Sequence, residues 1–294
     1  MRIAIAGSSG LIGSALVESL RADGHEVLRL VRRPATAPTE VTWDPYRGEI
    51  DLAALAGVEA LINLAGAGVG DHRWTAKYKK IILQSRVKTT ETIAKAAAEL
   101  KVPVLINGSA IGWYGDTGSN EVDESAPVAS GFLPDVVRQW EAATKPATDA
   151  GVRVVLIRTG LVMAPKGGAW AKLLPLFKLG LGGKLGSGKQ SWSFISLADE
   201  ISAIKFLLTK DDVSGPVNLT APLPATNAEI TKALGKALRR PTLFPAPAFA
   251  LKLVLGEFSQ EVLGSNRVLP KKLLAAGFTF AHPDIDSATR TLLP

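Results

Sequence analysis

The most restrictive feature of this chain is the run Gly7-Ser-Ser-Gly10-Leu-Ile-Gly13, which follows the apolar segment Arg2-Ile-Ala-Ile-Ala6 without a break. Beyond it Ile12, Leu16 and Leu20 recur at helical spacing and stop before Gly24, a natural C-terminal cap. A strand that turns through glycines straight into a helix can make a tight turn and let a pyrophosphate approach the backbone. It can also pack helix against strand closely, and its helix N-terminus attracts anionic phosphate. Gly7, Ser8, Ser9, Gly10, Leu11, Ile12 and Gly13 are therefore predicted to hold a dinucleotide; the plainer reading is an ordinary glycine-rich turn.

The rest of the first half repeats this alternation. Apolar runs at Ile3–Ala6, Val27–Val31, Ala60–Ala65, Val104–Ile106 and Val152–Ile157 lack period-two alternation, as strands buried on both faces of a parallel sheet do. Helical patterns lie between them, including the alanine-rich Thr89–Lys101 just ahead of Pro103. Repeated strand–helix units predict an α/β fold with a doubly wound parallel sheet. After Gly160 the pattern changes. Gly167-Gly168, Gly180, Gly182-Gly183, Gly186 and Gly188 read as a loop-rich lid, followed by a helix near Leu197–Leu208 and a last strand near Pro216–Leu219. Prolines then cluster from Pro222.

The second strand bears on cofactor choice. Nineteen residues past Gly13, where an acid would bind a ribose 2′-hydroxyl, stand Arg32 and Arg33. Guanidinium accommodates a 2′-phosphate, with Ser8 and Ser9 offering hydroxyls, so NADP(H) is predicted over NAD(H). The alternative is that both arginines flank an exposed strand end. Leu64, Ala65 and Gly66, in Asn63-Leu-Ala-Gly66-Ala-Gly68, place small residues at a strand's carboxyl end, where backbone can approach a ligand. Asp44 could accept from an adenine amino group or cap a turn.

Charge is uneven. Of 34 Lys+Arg and 27 Asp+Glu among 294 residues, residues 1–150 hold 16 and 18, leaving 18 and 9 for the remainder. Between Asp149 and Asp199 there is no acid, yet Arg153, Arg158, Lys166, Lys172, Lys178, Lys184 and Lys189 are present. A solvated basic face, an anionic ligand and a nucleic acid all fit this segment. Trp170, Phe177, Trp192 and Phe194, interleaved with these bases, could stack on nucleotides. The segment falls where a substrate lid is expected, so no nucleic-acid partner is predicted. Zero cysteines exclude disulfides, thiolate metal sites and cysteine nucleophiles, and three scattered histidines give no metal signature. The longest stretch without a charged residue, Val213–Ala228, is proline-broken and too short to span a bilayer. With the first strand already under way at Arg2, a cytoplasmic protein with no leader and no membrane partner is expected.

Taken together, Gly7–Gly13, Asn63–Gly66, Ser109–Gly115, Glu121–Pro127, Arg158–Val162 and Gly186–Asp199 resemble the extended short-chain dehydrogenase/reductase superfamily. Arg73-Trp74, Ser85-Arg86, Trp140-Glu141 and Phe244–Phe280 narrow this to its atypical "epimerase family" subgroup, NAD-dependent epimerase/dehydratase-like with a C-terminal domain of unknown function. The resemblance implies a Rossmann NADP-binding domain over 1–165, with 196–220 returning to it. It also implies a smaller substrate-binding or lid domain from 166–195 and 221–294.

The superfamily's usual Tyr-x-x-x-Lys pair is missing. Four residues after Tyr46, Tyr78 and Tyr114 stand Ile50, Ile82 and Gly118. Aligning Glu141 with the acid that ends that motif puts Leu133 and Val137 at the Tyr and Lys positions, and neither can move a proton. Counting back from Tyr114 places Ala110 at the usual serine position, with Ser109 one residue earlier. Ser109 and Tyr114 are the catalytic candidates, and Ser109 also joins the cofactor set. Asp116 and His72 are further acid/base candidates. Arg73, Trp74, Arg86, Gln190 and Trp192 are predicted to bind substrate as an anion-and-ring pocket. The reading is an NADP(H)-binding epimerase/dehydratase-like oxidoreductase acting on a small anionic substrate, a sugar nucleotide by superfamily analogy. The alternative is a non-catalytic NADP(H)-dependent sensor or partner-binding protein.

Overall fold

The structure, a computed structural model, describes residues Met1–Leu293. Its strands are β1 (Arg2–Ala6), β2 (Glu26–Val31), β3 (Glu40–Asp44), β4 (Glu49–Ile50), β5 (Ala60–Asn63), β6 (Val104–Ala110), β7 (Arg153–Thr159), β8 (Leu161–Met163), β9 (Ser191–Trp192), β10 (Phe194–Ser196), β11 (Gly215–Leu219) and β12 (Ala225–Thr226). Its helices are α1 (Leu11–Ala22), α2 (Ala76–Leu100), α3 (Phe132–Ala142), α4 (Lys145–Asp149), α5 (Gly168–Lys178), α6 (Leu197–Thr209), α7 (Asn227–Leu238), α8 (Ala248–Leu255), α9 (Ser259–Leu263), α10 (Lys271–Ala275) and α11 (Ile285–Arg290).

Eight strands form one sheet in the order β11-β7-β6-β5-β1-β2-β3-β4, parallel except for the β3–β4 pair. The chain runs outward from β1 in both directions, so strand order reverses between β1 and β5. That reversal opens a crevice at the carboxyl ends of the strands, the usual ligand position in such sheets. Helices cover both faces. Ile3 and Ile5 pack with Leu16 and Leu20 of α1 and Ile204 and Leu207 of α6. Ala4, Ala6 and Leu61 pack on the other side with Ile93, Ala94 and Ala97 of α2. Doubly buried strands explain the unbroken apolar runs of the sequence.

The sequence pattern anticipates β1, β2, β5, β6, β7, β11, α1 and α6. It misses β3, and it sees only the second half of α2, which begins at Ala76, capped by the Thr75 side chain. The glycine-punctuated segment also differs from the loop-rich lid expected of it. Residues 168–178 form α5, whose Trp170, Leu174 and Phe177 are buried with Ile230 and Leu234 of α7 and Ala288 near the C-terminus. Spacing of i, i+4, i+7 places those three on one helix face. Trp170, Phe177 and Phe194 are buried and closed to base stacking, which leaves only the half-buried Trp192 of the four rings in the basic segment. This cluster lies apart from the sheet's own core, whereas Leu273, Phe278 and Phe280 of the C-terminal segment join the sheet's cluster. Pro294, the last residue of the predicted smaller domain, lies outside the described residues. No described helix is long and apolar enough to cross a membrane.

Candidate functional site

A cleft of about 690 Å³ opens at the crevice between β1 and β5. Nine sequence-predicted residues line it: Gly7, Ser8, Ser9 and Gly10 of the turn after β1, Arg32 and Arg33 at the end of β2, and Leu64, Ala65 and Gly66 of the turn after β5. Gly7 holds φ +77°, and a Cβ there would lie 2.5 Å from the Leu64 carbonyl carbon. The turns leaving β1 and β5 therefore touch, and that contact requires glycine. A Cβ on Gly13 would collide with the Gly7 carbonyl oxygen, so this third glycine seats α1 on the turn. Leu11, Ile12, Gly13, Asp44 and Ser109 lie outside the lining. Ile12 packs on the sheet's core, and Leu11 meets the α5 N-terminus at Gly167 and Gly168. Trp43, Tyr46 and Ile81 also line the cleft and went unread in the sequence, because they sit on the missed strand β3, the turn after it and the missed part of α2. Ser85, read only through the subgroup resemblance, and Thr89, at the start of the helical pattern that was read, line it too.

The two arginines divide their labour. Arg33 donates to both carboxylate oxygens of Glu40, at 2.8 and 2.7 Å, and Arg29 adds a third contact at 2.6 Å. The Glu40 carboxylate is buried, and the hydrogen bonds from Arg33 and from the Thr36 backbone hold its pKa down to about 2. Arg33 is thereby fixed by an internal partner. Arg32 forms no ion pair or hydrogen bond among the described residues and faces the cleft with a free guanidinium. Asp44 caps the following turn, accepting from the Tyr46 and Arg47 amides at 3.0 and 3.3 Å. It lines a smaller adjoining recess of about 280 Å³ with both arginines.

The loop after β5 is held from α2. Ser85 Oγ accepts from the Ala67 amide at 3.0 Å, and Arg86 donates to the Ala67 carbonyl at 2.8 Å. Burial draws the Arg86 pKa down to about 10. A Cβ on Gly66 would press on the Arg86 side chain, so glycine and arginine fit as a pair. Arg86 thus supports the cleft wall. The other predicted substrate residues are dispersed, and none of the five lines the cleft. Arg73 donates to the Leu253 carbonyl. Trp74 donates to the Val69 carbonyl and stacks edge-on against Phe132 with centroids 4.9 Å apart. Gln190 is buried, donating to the carbonyls of Leu185 and Val262. Trp192 sits in β9, paired with Ala225.

Ser109 and Tyr114 belong to a buried network joining the carboxyl ends of three strands. Ser109 Oγ donates to Glu141 at 2.6 Å. Arg158 clamps both Glu141 oxygens at 2.8 and 2.9 Å and donates to the Tyr114 hydroxyl at 3.0 Å. Tyr114 in turn donates to Asn218 at 2.7 Å. Burial raises the Tyr114 pKa, the opposite of what a proton-shuttling tyrosine needs. Both hydroxyls are engaged in holding β6, β7, β11 and α3 together.

Two carboxyls titrate near neutrality. Glu261, on α9, is raised to about 7 by burial and by the nearby Asp116. Glu200, on α6, is fully buried, accepts from Thr159 at 2.8 Å and is raised to about 8 by desolvation. No local pattern marks either one, because burial is set by distant segments. Glu200 has a testable consequence. Its folded pKa lies above the usual 4.5, so the native state keeps a proton that the unfolded chain releases. Stability contributed by protonated Glu200 is present below 4.5 and lost as pH climbs to about 8, with a slope of at most about 1.4 kcal/mol per pH unit. Glu200→Gln is expected to flatten that slope and raise stability at pH 8, read by denaturant unfolding across pH; an unchanged slope would refute the assignment.

Sequence comparison places this geometry. The model of the NAD dependent epimerase/dehydratase family matches residues 3–219. The chain belongs to that family. The family member described here also matches a C-terminal domain of unknown function, DUF1731, over residues 246–292. It is 47% identical over 287 residues to an epimerase family protein of Mycobacterium bovis, covering 97% of this chain and 95% of that one. The crystal structure of human epimerase family protein SDR39U1 with NADPH superposes with a TM-score of 0.92, at 33% identity and 99% coverage of each chain. A nucleoside-diphosphate sugar epimerase from Corynebacterium glutamicum superposes at 0.81 with 35% identity, covering 99% of this chain and 58% of that one.

Proposed function

We propose that this family member binds NADP(H) in the β1–β5 cleft and uses it in redox chemistry on a small anionic substrate. The observation that carries the reading is the unpaired Arg32 guanidinium opening on the same cleft as the Gly7–Gly10 turn. A dinucleotide placed with its pyrophosphate on that turn points its 2′-substituent toward the end of β2, where a free guanidinium complements a phosphate. The human relative's NADPH complex supports this choice. The close contacts that only glycine allows at Gly7 and Gly13 support the same reading, because they seat the start of α1, where a helix N-terminus favours anionic phosphate, directly on the turn.

When bound, the nicotinamide would supply hydride transfer. The chain's own part is to fix the phosphates, keep the β5 loop in place through Ser85 and Arg86, and hold the strand ends in register through Glu141 and Arg158. Tyr114, whose pKa burial raises, is held protonated and committed to the buried network.

The test is a titration. Arg32→Ala is expected to weaken NADPH binding about tenfold while leaving NADH unchanged, since a hydrogen bond to a charged group contributes about 1.5–3 kcal/mol and this one is exposed. NADH binding as tightly as NADPH in the native protein would refute the assignment. A second reading, a cofactor-responsive binding protein without turnover, draws on the engagement of Ser109 and Tyr114 in the buried network. Transfer of label from stereospecifically deuterated NADPH to a metabolite decides between the two.

A further inference from the structure

Of thirteen large apolar side chains that the fold leaves exposed among the described residues, eight fall in two short segments: Leu176, Leu179 and Leu181, and Leu243, Phe244, Phe249, Leu253 and Val254. Seven of the eight are 50–77% exposed. These segments run side by side. Arg240 Nε donates to the Lys178 carbonyl at 3.0 Å, the Phe244 amide to Gly182 at 3.3 Å, and the Ala246 amide to Lys184 at 2.9 Å. Helix α8 buries none of its eight residues, although all but Lys252 are apolar. An apolar concentration of this kind on a folded surface marks a place of contact.

The charge around it identifies the contact. Residues 150–198 and 230–256 contain no acid. Where the two stretches meet, Lys178, Lys184, Lys236, Arg239, Arg240 and Lys252 are exposed, and none forms an ion pair among the described residues. The nearest acid along the chain, Glu257, is paired with Lys79. Apolar side chains set among cations with no intervening acid match a bilayer interface, where the apolar groups enter the headgroup boundary and the cations meet anionic lipid. A second copy of the same face would set like charges against each other.

We infer that this face, α8 together with the 176–184 and 240–246 segments, docks on an anionic lipid surface. The absence of a spanning helix bears only on crossing a bilayer, and lying on one needs no such helix. The sequence-based expectation of no membrane partner rested on that absence. This docking is independent of the cofactor reading, because none of these residues lines the cleft.

The experiment is co-sedimentation of the full chain with vesicles of phosphatidylglycerol mixed with phosphatidylcholine, and with phosphatidylcholine alone. Binding is expected to the anionic vesicles and to weaken with salt. The double variant Phe249→Glu, Leu253→Glu should lose it by about tenfold or more while keeping its circular dichroism and NADPH affinity. Because both positions are exposed, these substitutions spare the core; Lys178→Ala with Lys252→Ala serves as a gentler second variant with the same expected direction. Failure of the native protein to bind anionic vesicles would overturn the inference. So would equal binding to neutral vesicles, or a dimer in light scattering that the double variant abolishes.

Discussion

Arg158→Met is expected to lower the unfolding free energy by about 3–5 kcal/mol, as removal of one partner from a buried ion pair does. The guanidinium is almost wholly buried, with its side chain 3% exposed against 9% for Glu141. It spends its donors on both Glu141 oxygens and on Tyr114, and it lies 4.0 Å over the Trp113 ring. Methionine fills much of the same volume but supplies no donor. Glu141 would then keep Ser109 Oγ as its side-chain partner, with a charge that the surroundings cannot solvate. The double variant Arg158→Met, Glu141→Leu should recover part of the loss, since removing both charges leaves no uncompensated ion. Denaturant titrations of the two variants decide the matter. A single-variant loss below about 1 kcal/mol, or a double variant no better than the single, would show the network contributes little.

That network shows where sequence reasoning reaches and where it stops. Strands buried on both faces leave a one-dimensional trace, so β1, β2, β5, β6 and β7 are legible as apolar runs, and the Gly7–Gly13 spacing locates the cleft before any fold is seen. β3 escapes because a strand near the sheet's edge alternates: Glu40-Val41-Thr42-Trp43-Asp44 carries two acids. With β3 unread, Trp43 and Tyr46 could not be placed in the cleft, and Glu40 could not be seen as the partner that fixes Arg33 while Arg32 stays free. Ser109 and Tyr114 were visible as polar groups near a strand end. What they touch depends on Glu141, Arg158 and Asn218, which lie 32, 44 and 104 residues away from their partners. The basic segment carries the same lesson. Its count was plain, but Arg158 is internal, Arg153 hydrogen-bonds to the Leu207, Leu208 and Val213 carbonyls, and only the lysines remain for an outer surface. Pairing 176–184 with 240–246 is a tertiary contact, so the apolar face it builds has no signature in either segment alone.

Gly13→Ala is expected to weaken NADPH binding by about a hundredfold or more while costing only about 1–2 kcal/mol of stability. The two effects have opposite local tendencies. Gly13 sits in the first turn of α1 with ordinary helical backbone, where alanine is favoured over glycine by about 1 kcal/mol. Against that gain, the new Cβ would overlap the Gly7 carbonyl oxygen and come within 2.9 Å of its carbon. Neither atom is on a flexible side chain. Gly7 is itself pinned, since its amide-side turn presses on Leu64 and its carbonyl accepts from Gly10 at 3.0 Å. Relief therefore comes from moving the α1 N-terminus off the turn, and overpacking of this kind costs about 1–3 kcal/mol, enough to cancel the helix gain and leave a modest net loss. Binding suffers more because it depends on position: the amides that face a pyrophosphate belong to the residues being displaced, and each hydrogen bond to a charged group is worth about 1.5–3 kcal/mol. Calorimetric titration with NADPH and denaturant unfolding of the same variant separate the two quantities. A variant that binds NADPH within about threefold of the native chain would place the phosphates elsewhere than on the Gly7–Gly13 turn, whereas one that loses stability and affinity in proportion would make the glycine a packing residue alone.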